Sequence, residues 1–374
     1  MKKAVGLFIT VIIMFCQALT AASENVIQYN PIMPECSFIT TGDPIRANML
    51  MSTEYVSADE IWFSGTADEG GPWIVKTNAY GDILWQESFP ILNKNDRITV
   101  RSMSKTPNGL LLGIIDNKTS KGYISLLSES GQFHQTSLGD AKIFSYTSSQ
   151  LGMLAQGVLY DDATQTCAPQ TTLIGVNGEI VFQKTGAPYE IAVDRGALTS
   201  SLCYASDNLI FVVEARSAPN EFPFVRELVC LDVSGNEMWR VTLESDMVVQ
   251  TLSAANGNIY LHGFWGTWNK EGVLTNQQAT IQCYSSEGVG CWTRKFDAPN
   301  IFQCADAKHG ICVATGMEDD AWYIAVLNTE GQLQSAVRIE AEAQYINKPY
   351  IISEKSMIIL GTAGENLLIK KLEF

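Results

Sequence analysis

The stretch ELVCLDVSGNEMWRVTLE (residues 227–244) places two short apolar segments on either side of a turn that contains Gly235. The same order occurs six times along the chain. The turn glycines are Gly81, Gly131, Gly178, Gly235, Gly288 and Gly331, at intervals of 50, 47, 57, 53 and 43 residues. A polar residue three positions before the glycine, such as Asp232, is typical of a type I turn closed by a left-handed Gly. Each copy therefore predicts a β-hairpin.

A further strand-like segment precedes each hairpin, as EIWFSG (60–65) and GNIYLHGF (257–264) illustrate. A shortened seventh copy, SMIILG (356–361) followed by NLLIKKL (366–372), ends the chain before its last strand. Repeats of this length are typical of propellers and solenoids, and four strands per repeat favour propeller blades over an open solenoid. The sequence therefore predicts an all-β protein, a seven-bladed β-propeller of four-stranded antiparallel blades.

The seventh repeat lacks a fourth strand of its own. We predict that the ring is closed by the N-terminal strand ENVIQY (24–29), paired antiparallel with residues 366–372, because closure removes an exposed sheet edge. We also expect the aromatic residues four positions after the turn glycines to pack between neighbouring blades. They are Trp85, Phe182, Trp239 and Trp292.

The first residues have the pattern of a signal peptide. Lys2 and Lys3 precede an apolar run, and small residues follow it up to Ala22. We predict residues 1–22 as the signal peptide and residues 23–374 as a single propeller domain of seven repeats of about 50 residues. An uncleaved membrane anchor is the alternative, because the apolar run approaches the length of a membrane span. The expected location is extracellular or in the cell envelope.

The charge of the chain limits its partners. The formal net charge of −15 becomes −17 when the two lysines of the signal peptide are removed, since no acidic residue is lost with them. A chain this acidic repels phosphate backbones, which argues against nucleic acid as a partner. No segment after the signal peptide is long and apolar enough to span a membrane. We expect a secreted monomer that binds a protein or a glycan.

Two pairs of cysteines flank tight turns. Cys283 and Cys291 lie eight residues apart, and so do Cys304 and Cys312. This spacing can bring two side chains together across a hairpin, and an exported protein could oxidise them to disulfides. The alternative is that the cysteines are buried as small apolar residues. The sequence alone does not decide between disulfides and buried thiols.

The turn motif resembles that of a known family. The segment LDVSGNEMW (231–239), with weaker matches at NAYGDILW (78–85) and VNGEIVF (176–182), is similar to the repeat of PQQ-like (quinoprotein alcohol dehydrogenase-like) β-propellers. The resemblance covers six repeats, but the tryptophan-docking signature of the family is incomplete. This sequence contains no set of Glu, Asn and Asp residues that we can assign to the binding of calcium and quinone. We therefore expect no cofactor, with calcium and PQQ left open.

No catalytic or metal-binding motif can be assigned. The three histidines lie in different repeats, and none has a second histidine at a metal-ligand spacing. No nucleophile elbow, phosphate-binding loop or dinucleotide fingerprint occurs. The sequence therefore predicts neither catalytic residues nor a metal site.

Long connections between the second and third strands occur in three consecutive repeats. They are YDDATQTCAPQ (160–170), EARSAPNEFPFV (214–225) and WGTWNKEGVLTNQQ (265–278). Function tends to collect on such loops, and aromatic residues with carboxylates can bind sugar rings or anchor a protein partner. The candidate binding residues are Trp265, Trp268, Phe222, Tyr160, Asp161 and Asp162. The alternative is that the WGTW segment folds onto its own blade.

Three hypotheses of function follow. The first is a secreted, non-enzymatic propeller that presents this loop-rich face as a binding scaffold. The second is a propeller enzyme, either quinoprotein-like or polysaccharide-active, with its site in the central funnel. The third is an envelope-tethered assembly scaffold. The fold alone does not distinguish between them.

Overall fold

The computed structural model describes the greater part of the chain. The described residues are 25–27, 39–40, 50–56, 59–66, 72–78, 82–88, 98–128, 133–161, 163–190, 202–206, 208–216, 225–268, 274–296, 302–318, 321–340, 345–346, 349–363 and 366–373. Within these ranges the regular structure is all β-strand. No helix in the described part of the chain is long and apolar enough to cross a membrane.

The strands follow one another in antiparallel groups, which we number as sheets 1 to 7 in chain order. Two short strands come first, β1 (Asn25–Ile27) and β2 (Ile39–Thr40). Sheet 1 contains β3 (Leu50–Val56), β4 (Ile61–Thr66), β5 (Pro72–Thr77) and β6 (Ile83–Ser88). Sheet 2 contains β7 (Ile98–Thr106), β8 (Gly109–Asp116), β9 (Lys121–Leu127) and the first part of β10 (Phe133–Ser149). Sheet 3 contains the second part of β10, then β11 (Gly152–Asp161), β12 (Thr166–Ile174), β13 (Ile180–Thr185) and β14 (Tyr189–Glu190).

The remaining sheets repeat this order. Sheet 4 contains β15 (Leu202–Ser206), β16 (Leu209–Arg216), β17 (Val225–Asp232) and β18 (Glu237–Thr242). Sheet 5 contains β19 (Met247–Ala255), β20 (Asn258–Trp268), β21 (Leu274–Ser285) and β22 (Gly290–Phe296). Sheet 6 contains β23 (Phe302–Lys308), β24 (Ile311–Glu318), β25 (Ala321–Asn328) and β26 (Leu333–Glu340). Sheet 7 contains β27 (Tyr345–Ile346), β28 (Tyr350–Ser353), β29 (Ser356–Ala363) and β30 (Asn366–Glu373).

One long strand joins sheets 2 and 3. The first residues of β10 pair with β9, and residues from Lys142 onwards pair with β11. The register with β9 breaks between Ser137 and Lys142. The outer strand of sheet 2 therefore continues directly as the first strand of sheet 3.

The two N-terminal strands join different sheets. β1 pairs in parallel with β22 of sheet 5, where Val26 lies opposite Lys295. The prediction that residues 24–29 pair with residues 366–372 is therefore wrong for residues 25–27. Instead β2 pairs antiparallel with β30, with Ile39 opposite Ile369. Any short apolar strand can pair with a free sheet edge, so the sequence pattern alone does not select the edge.

The apolar core lies between the sheets. Seven clusters of buried side chains are described, and each combines residues of two sheets. Six of them join sheets that are consecutive in the chain. The seventh combines Phe63 and Val75 of sheet 1 with Ile358 and Leu360 of sheet 7. The two ends of the repeat array therefore share a core.

Aromatic residues of the outer strands lie on the turn glycine of the following sheet. A Cβ added to Gly288 would lie 2.9 Å from the Trp239 ring, and one added to Gly331 would lie 2.7 Å from the Trp292 ring. The indole N–H of Trp239 also donates to the carbonyl of Ser286 at 2.8 Å. A Cβ would not fit at either glycine, and both have a positive φ. This confirms the expected packing of these aromatic residues between neighbouring sheets.

Candidate functional site

In sheets 3, 4 and 5 the second strand continues for three residues past its last pair with the first strand, whereas among the described residues it continues for two in sheet 6 and for one in sheets 1 and 7. Those last pairs are Lys142 with Val158, Leu202 with Val213 and Met247 with Trp265. Beyond them the paired residues of the second strand lie opposite the third strand; Gly266 is a bulge residue, and its N–H donates to the carbonyl of Asp246 at 3.0 Å. We call this surface the projecting edge. It consists of the extensions of the second strands (residues 159–161, 214–216 and 266–268) and of the third-strand residues 166–168, 225–227 and 274–277.

The projecting edge corrects part of the loop prediction. Tyr160 and Asp161 pair with Cys167 and Thr166, so much of the 160–170 segment is strand. The WGTW segment also belongs to a strand, because Trp268 pairs with Leu274. The sequence pattern missed these pairs because Gly, Thr and Gln are common in both loops and exposed hairpins. Phe222 and Asp162 lie outside the described residues.

Tyr160 is the exposed aromatic residue of the projecting edge in sheet 3. Its side chain is 36% exposed, and the Lys142 ammonium lies 4.4 Å from the centre of its ring. Partial burial raises the pKa of Tyr160 above its ordinary value, and the nearby Cys167 adds to the effect. The phenol is therefore neutral at physiological pH and can donate a hydrogen bond to a ligand.

Asp161 organises the turn beside Tyr160. A hydrogen bond from the side chain of Thr164 and another from the backbone N–H of Ala163 lower the pKa of Asp161. The backbone nitrogen of Ala163 lies 3.0 Å from a carboxylate oxygen of Asp161. The carboxylate is thus ionised, exposed and fixed by its own turn.

The two tryptophans in sheet 5 are both partly buried. Trp265 packs against the core between sheets 4 and 5, and the ammonium of Lys295 lies 4.1 Å from the centre of its ring. The indole N–H of Trp268 donates to the carbonyl of Ser245 at 2.9 Å, which ties the hairpin tip to the connection between sheets 4 and 5. Trp265 therefore supports the projecting edge from within, and Trp268 holds it in place.

An ion network in sheet 4 lies on the projecting edge between these two sites. Glu214 of β16 lies directly opposite Glu227 of β17, and two negative charges in these positions repel each other. Arg240 offsets this repulsion by donating from one nitrogen to both carboxylates. Its second terminal nitrogen reaches Glu237 at 2.7 Å, and Lys184 of sheet 3 lies 3.8 Å from the same carboxylate. Hydrogen bonding to Glu237 raises the pKa of Arg240; burial opposes this, while Glu227 and Glu214 reinforce it.

Sequence reasoning missed this network because the partners lie on three different strands. The signal that could have found it is the pair of glutamates on either side of the 215–226 segment, with an arginine five positions after the turn glycine Gly235.

Arg226 is a buried cation within the projecting edge. Its side chain is 5% exposed and donates to the carbonyl of Met247 at 3.2 Å. Burial lowers the pKa of Arg226 from its ordinary value. Because Arg226 is on sheet 4 and Met247 is on sheet 5, the bond connects the sheet 4 extension to the base of the sheet 5 extension.

The predicted site residues do not form one compact cluster. Tyr160 and Asp161 lie in sheet 3, whereas Trp265 and Trp268 lie in sheet 5. The PQQ-like resemblance would imply calcium and a quinone. In the part of the chain that the structure describes, no three His, Cys, Asp or Glu side chains are placed to hold a metal ion.

The strand register excludes one of the two predicted disulfides. Cys304 pairs with Thr315, whereas Cys312 pairs with Ala307. The two cysteines are thus offset by three positions, or about 10 Å along the strands, whereas a disulfide requires Cα atoms within about 7 Å. The predicted link between Cys304 and Cys312 is wrong. Cys283 and Cys291 are free thiols on paired strands.

The first strands of the sheets carry bulges that sequence reasoning also missed. The register breaks at Arg101 in β7, at Phe144 in β10 and at Gln250 in β19. All three side chains are exposed. Bulges often redirect a side chain near a functional site. The residues directly after these three bulges are Ser102, Ser145 and Thr251, but the first strands of sheets 1 and 6 also have register breaks, which are followed by Ser52, Tyr55 and Cys304, so the sequence offers no common signal.

A cavity of about 410 Å³ between sheets 1 and 2 is bordered by a charged cluster. The rings of Trp62 and Trp85 line it with their centres 5.8 Å apart, and Lys76 lies over the Trp62 ring. Glu60 accepts hydrogen bonds from Lys76 and Lys105. Burial alone would raise the pKa of Glu60, but the bonds from Lys105 and Lys76 lower it to about 2.

This cluster predicts a stability loss in acid. A carboxylate with a lowered pKa stabilises the fold above its unfolded pKa of about 4.3, and this stabilisation is lost as the pH falls towards 2. We expect about 2 kcal/mol of unfolding free energy to disappear across that window, measured by urea unfolding at each pH. Glu60→Gln should lack this component, while Glu87→Gln, also at the cavity, should retain it. Identical pH profiles for Glu60→Gln and the unmodified chain would contradict the assignment.

Comparisons with known proteins identify the fold. No protein-family model and no curated protein matches the chain. Among solved structures, the β-propeller domain of the Trilobed protease from Pyrococcus furiosus superposes with a TM-score of 0.54 at 11% identity, covering 87% of this chain and 94% of that one. The chain has a β-propeller fold.

Two further structures support the same conclusion. Streptogramin B lyase superposes with a TM-score of 0.52 at 12% identity, covering 90% of this propeller and 97% of the lyase. The polysaccharide lyase Uly1 gives 0.54 at 11% identity, covering 94% and 96%. Some propellers of similar shape are thus enzymes. Identities this low carry the fold and no particular activity.

Proposed function

We propose that the chain is an exported, non-enzymatic β-propeller that binds a protein or a glycan through the projecting edge. One observation carries this proposal: in three consecutive sheets the second strand extends with the third by three residues beyond the first strand, further than in the other sheets of the described residues. Paired strands hold side chains in fixed positions, which lowers the conformational cost of binding compared with a mobile loop. The projecting edge is therefore suited to recognition.

The chemistry of the projecting edge supports a polar ligand with some apolar surface. Tyr160 offers a ring and a phenol, and Asp161 beside it offers an ionised carboxylate. Aromatic residues beside hydrogen-bonding groups can stack on sugar rings or anchor a protein partner. The network around Arg240 adds charged hydrogen-bonding groups between the two aromatic sites.

We also infer the number of blades, the closure of the ring and the location of the protein. We infer seven blades in a closed ring, supported by the core shared between sheets 1 and 7 and by the pairing of β2 with β30. The stacking of Trp239 on Gly288 supports the PQQ-like resemblance. The signal-peptide pattern of residues 1–22 supports export of a monomeric propeller to the cell envelope or the medium.

Binding by the exported chain tests the proposal. The chain would be applied to a glycan array and to the surface of the producing cells. The variant Tyr160→Ala should lose about 30-fold in affinity, because a hot-spot aromatic contributes about 2 kcal/mol. Its thermal midpoint should change little, since the Tyr160 side chain is partly exposed.

The matched control lies outside the projecting edge. Tyr323 in sheet 6 also has a cation over its ring, with the Arg338 guanidinium 5.8 Å away. Tyr323→Ala should leave binding unchanged. Equal loss in Tyr323→Ala and Tyr160→Ala would mean that binding does not occur at the projecting edge.

A second candidate function is catalysis at the centre of the ring, favoured by the first-strand bulges at Arg101, Phe144 and Gln250. It is tested by incubating the chain with soluble polysaccharides and following their chain length. Cleavage that Arg101→Ala abolishes would establish this function, and unchanged polymers would exclude it for those substrates.

A further inference from the structure

Cys283 and Cys291 are brought together by a bulge in the hairpin of β21 and β22. Cys283 pairs with Trp292, and Tyr284 pairs with Gly290, so Cys291 is the inserted residue. An inserted residue and its neighbour both face the same residue of the opposite strand. Burial and the electrostatic influence of the nearby Cys291 thiol raise the pKa of Cys283.

The two thiols differ in access. Cys283 is buried in the core between sheets 5 and 6, whereas Cys291 is exposed on the outer strand. The same bulge in sheet 4 brings Cys230 near Met238, and in sheet 6 it brings Val326 near Gln334. Among the described hairpins of this kind, sheet 5 is thus the one with a cysteine at both positions.

We propose that Cys283 and Cys291 form a redox site that oxidises to a disulfide across the hairpin. The oxidant is a small-molecule disulfide such as oxidised glutathione. The exposed Cys291 loses its proton and attacks one sulfur of the oxidant, which releases one small thiol and leaves a mixed disulfide. Cys283 then attacks the Cys291 sulfur and releases the second small thiol. Two protein thiols and one oxidant disulfide thus become one protein disulfide and two small thiols.

The order of the two steps follows from burial. Cys291 reacts first because it is accessible to the oxidant. Cys283 is shielded from solvent, and its raised pKa keeps it protonated until the mixed disulfide forms beside it. This assignment is independent of the proposed binding function, since neither cysteine belongs to the projecting edge.

Peptide mapping of the full chain tests the proposal. Trypsin cuts after Lys270 and Arg294, and the resulting peptide contains these two cysteines and no other. After treatment with oxidised glutathione, this peptide should lose both alkylation labels and the mass of two hydrogens. Cutting it after Glu287 should give two fragments that separate only on reduction. A peptide that retains both labels would overturn the proposal.

Three serine variants identify the reacting partners. Cys283→Ser should stop at one glutathione on Cys291, and Cys291→Ser should give neither adduct nor disulfide. Cys312→Ser is the control from the same core cluster and should still form the disulfide. A disulfide that persists in Cys283→Ser, or disappears in Cys312→Ser, would show that Cys291 pairs elsewhere. A stable glutathione adduct on the unmodified chain would also contradict the proposal.

Discussion

Replacing Trp239 with alanine should lower the free energy of unfolding by about 3 kcal/mol, the size expected for removal of a large packed aromatic side chain. The indole covers Gly288 of the next sheet and donates to the carbonyl of Ser286. The variant would lose both the contact between sheets 4 and 5 and this hydrogen bond. Urea unfolding followed by tryptophan fluorescence and circular dichroism measures the change.

The neighbouring residue provides a matched control. Met238 is inserted by the bulge directly before Trp239, and its side chain is 60% exposed. Met238→Ala should change the unfolding free energy by less than about 0.5 kcal/mol. Comparable losses in the two variants would mean that the aromatic contacts between sheets do not stabilise the propeller as described.

Replacing Arg240 with methionine should destabilise the propeller by about 3 kcal/mol. The change leaves Glu214 and Glu227 directly opposite each other without the cation that separates their charges. Removing one partner of a largely buried ion network is costly because the remaining charge stays desolvated. Urea unfolding at neutral pH and low salt measures the loss.

A second substitution should recover part of this stability. Glu214→Gln in the Arg240→Met background removes one of the opposed charges, so the double variant should be more stable than Arg240→Met alone. Lys371→Met, which removes a cation from an exposed ion pair with Glu373, should change little. A double variant less stable than Arg240→Met would show that repulsion between the glutamates is not the cause.

Local sequence chemistry predicted the hairpins well. The turn glycines and the polar residues before them act within four positions, so they do not depend on distant partners. Gly235 and Gly288 indeed have positive φ values in turns between paired strands. The aromatic residue four positions later follows the same local register, which explains why Trp239 and Trp292 were placed correctly.

Features that depend on distant strands were not predictable in the same way. The pairing of Val26 with Lys295 depends on which sheet edge is free after folding. Arg240 meets Glu214 and Glu227 only because three strands are in one register. The offset of Cys304 from Cys312 likewise follows from register rather than from spacing along the chain.

Site-specific crosslinking on producing cells shows whether the projecting edge is the binding surface. A photoreactive residue would replace Tyr160 in one chain and Tyr323 in another, and each would be illuminated after export. We expect a specific crosslinked product from position 160 and none from position 323. Crosslinking from position 323 alone, or equally from both positions, would contradict this expectation.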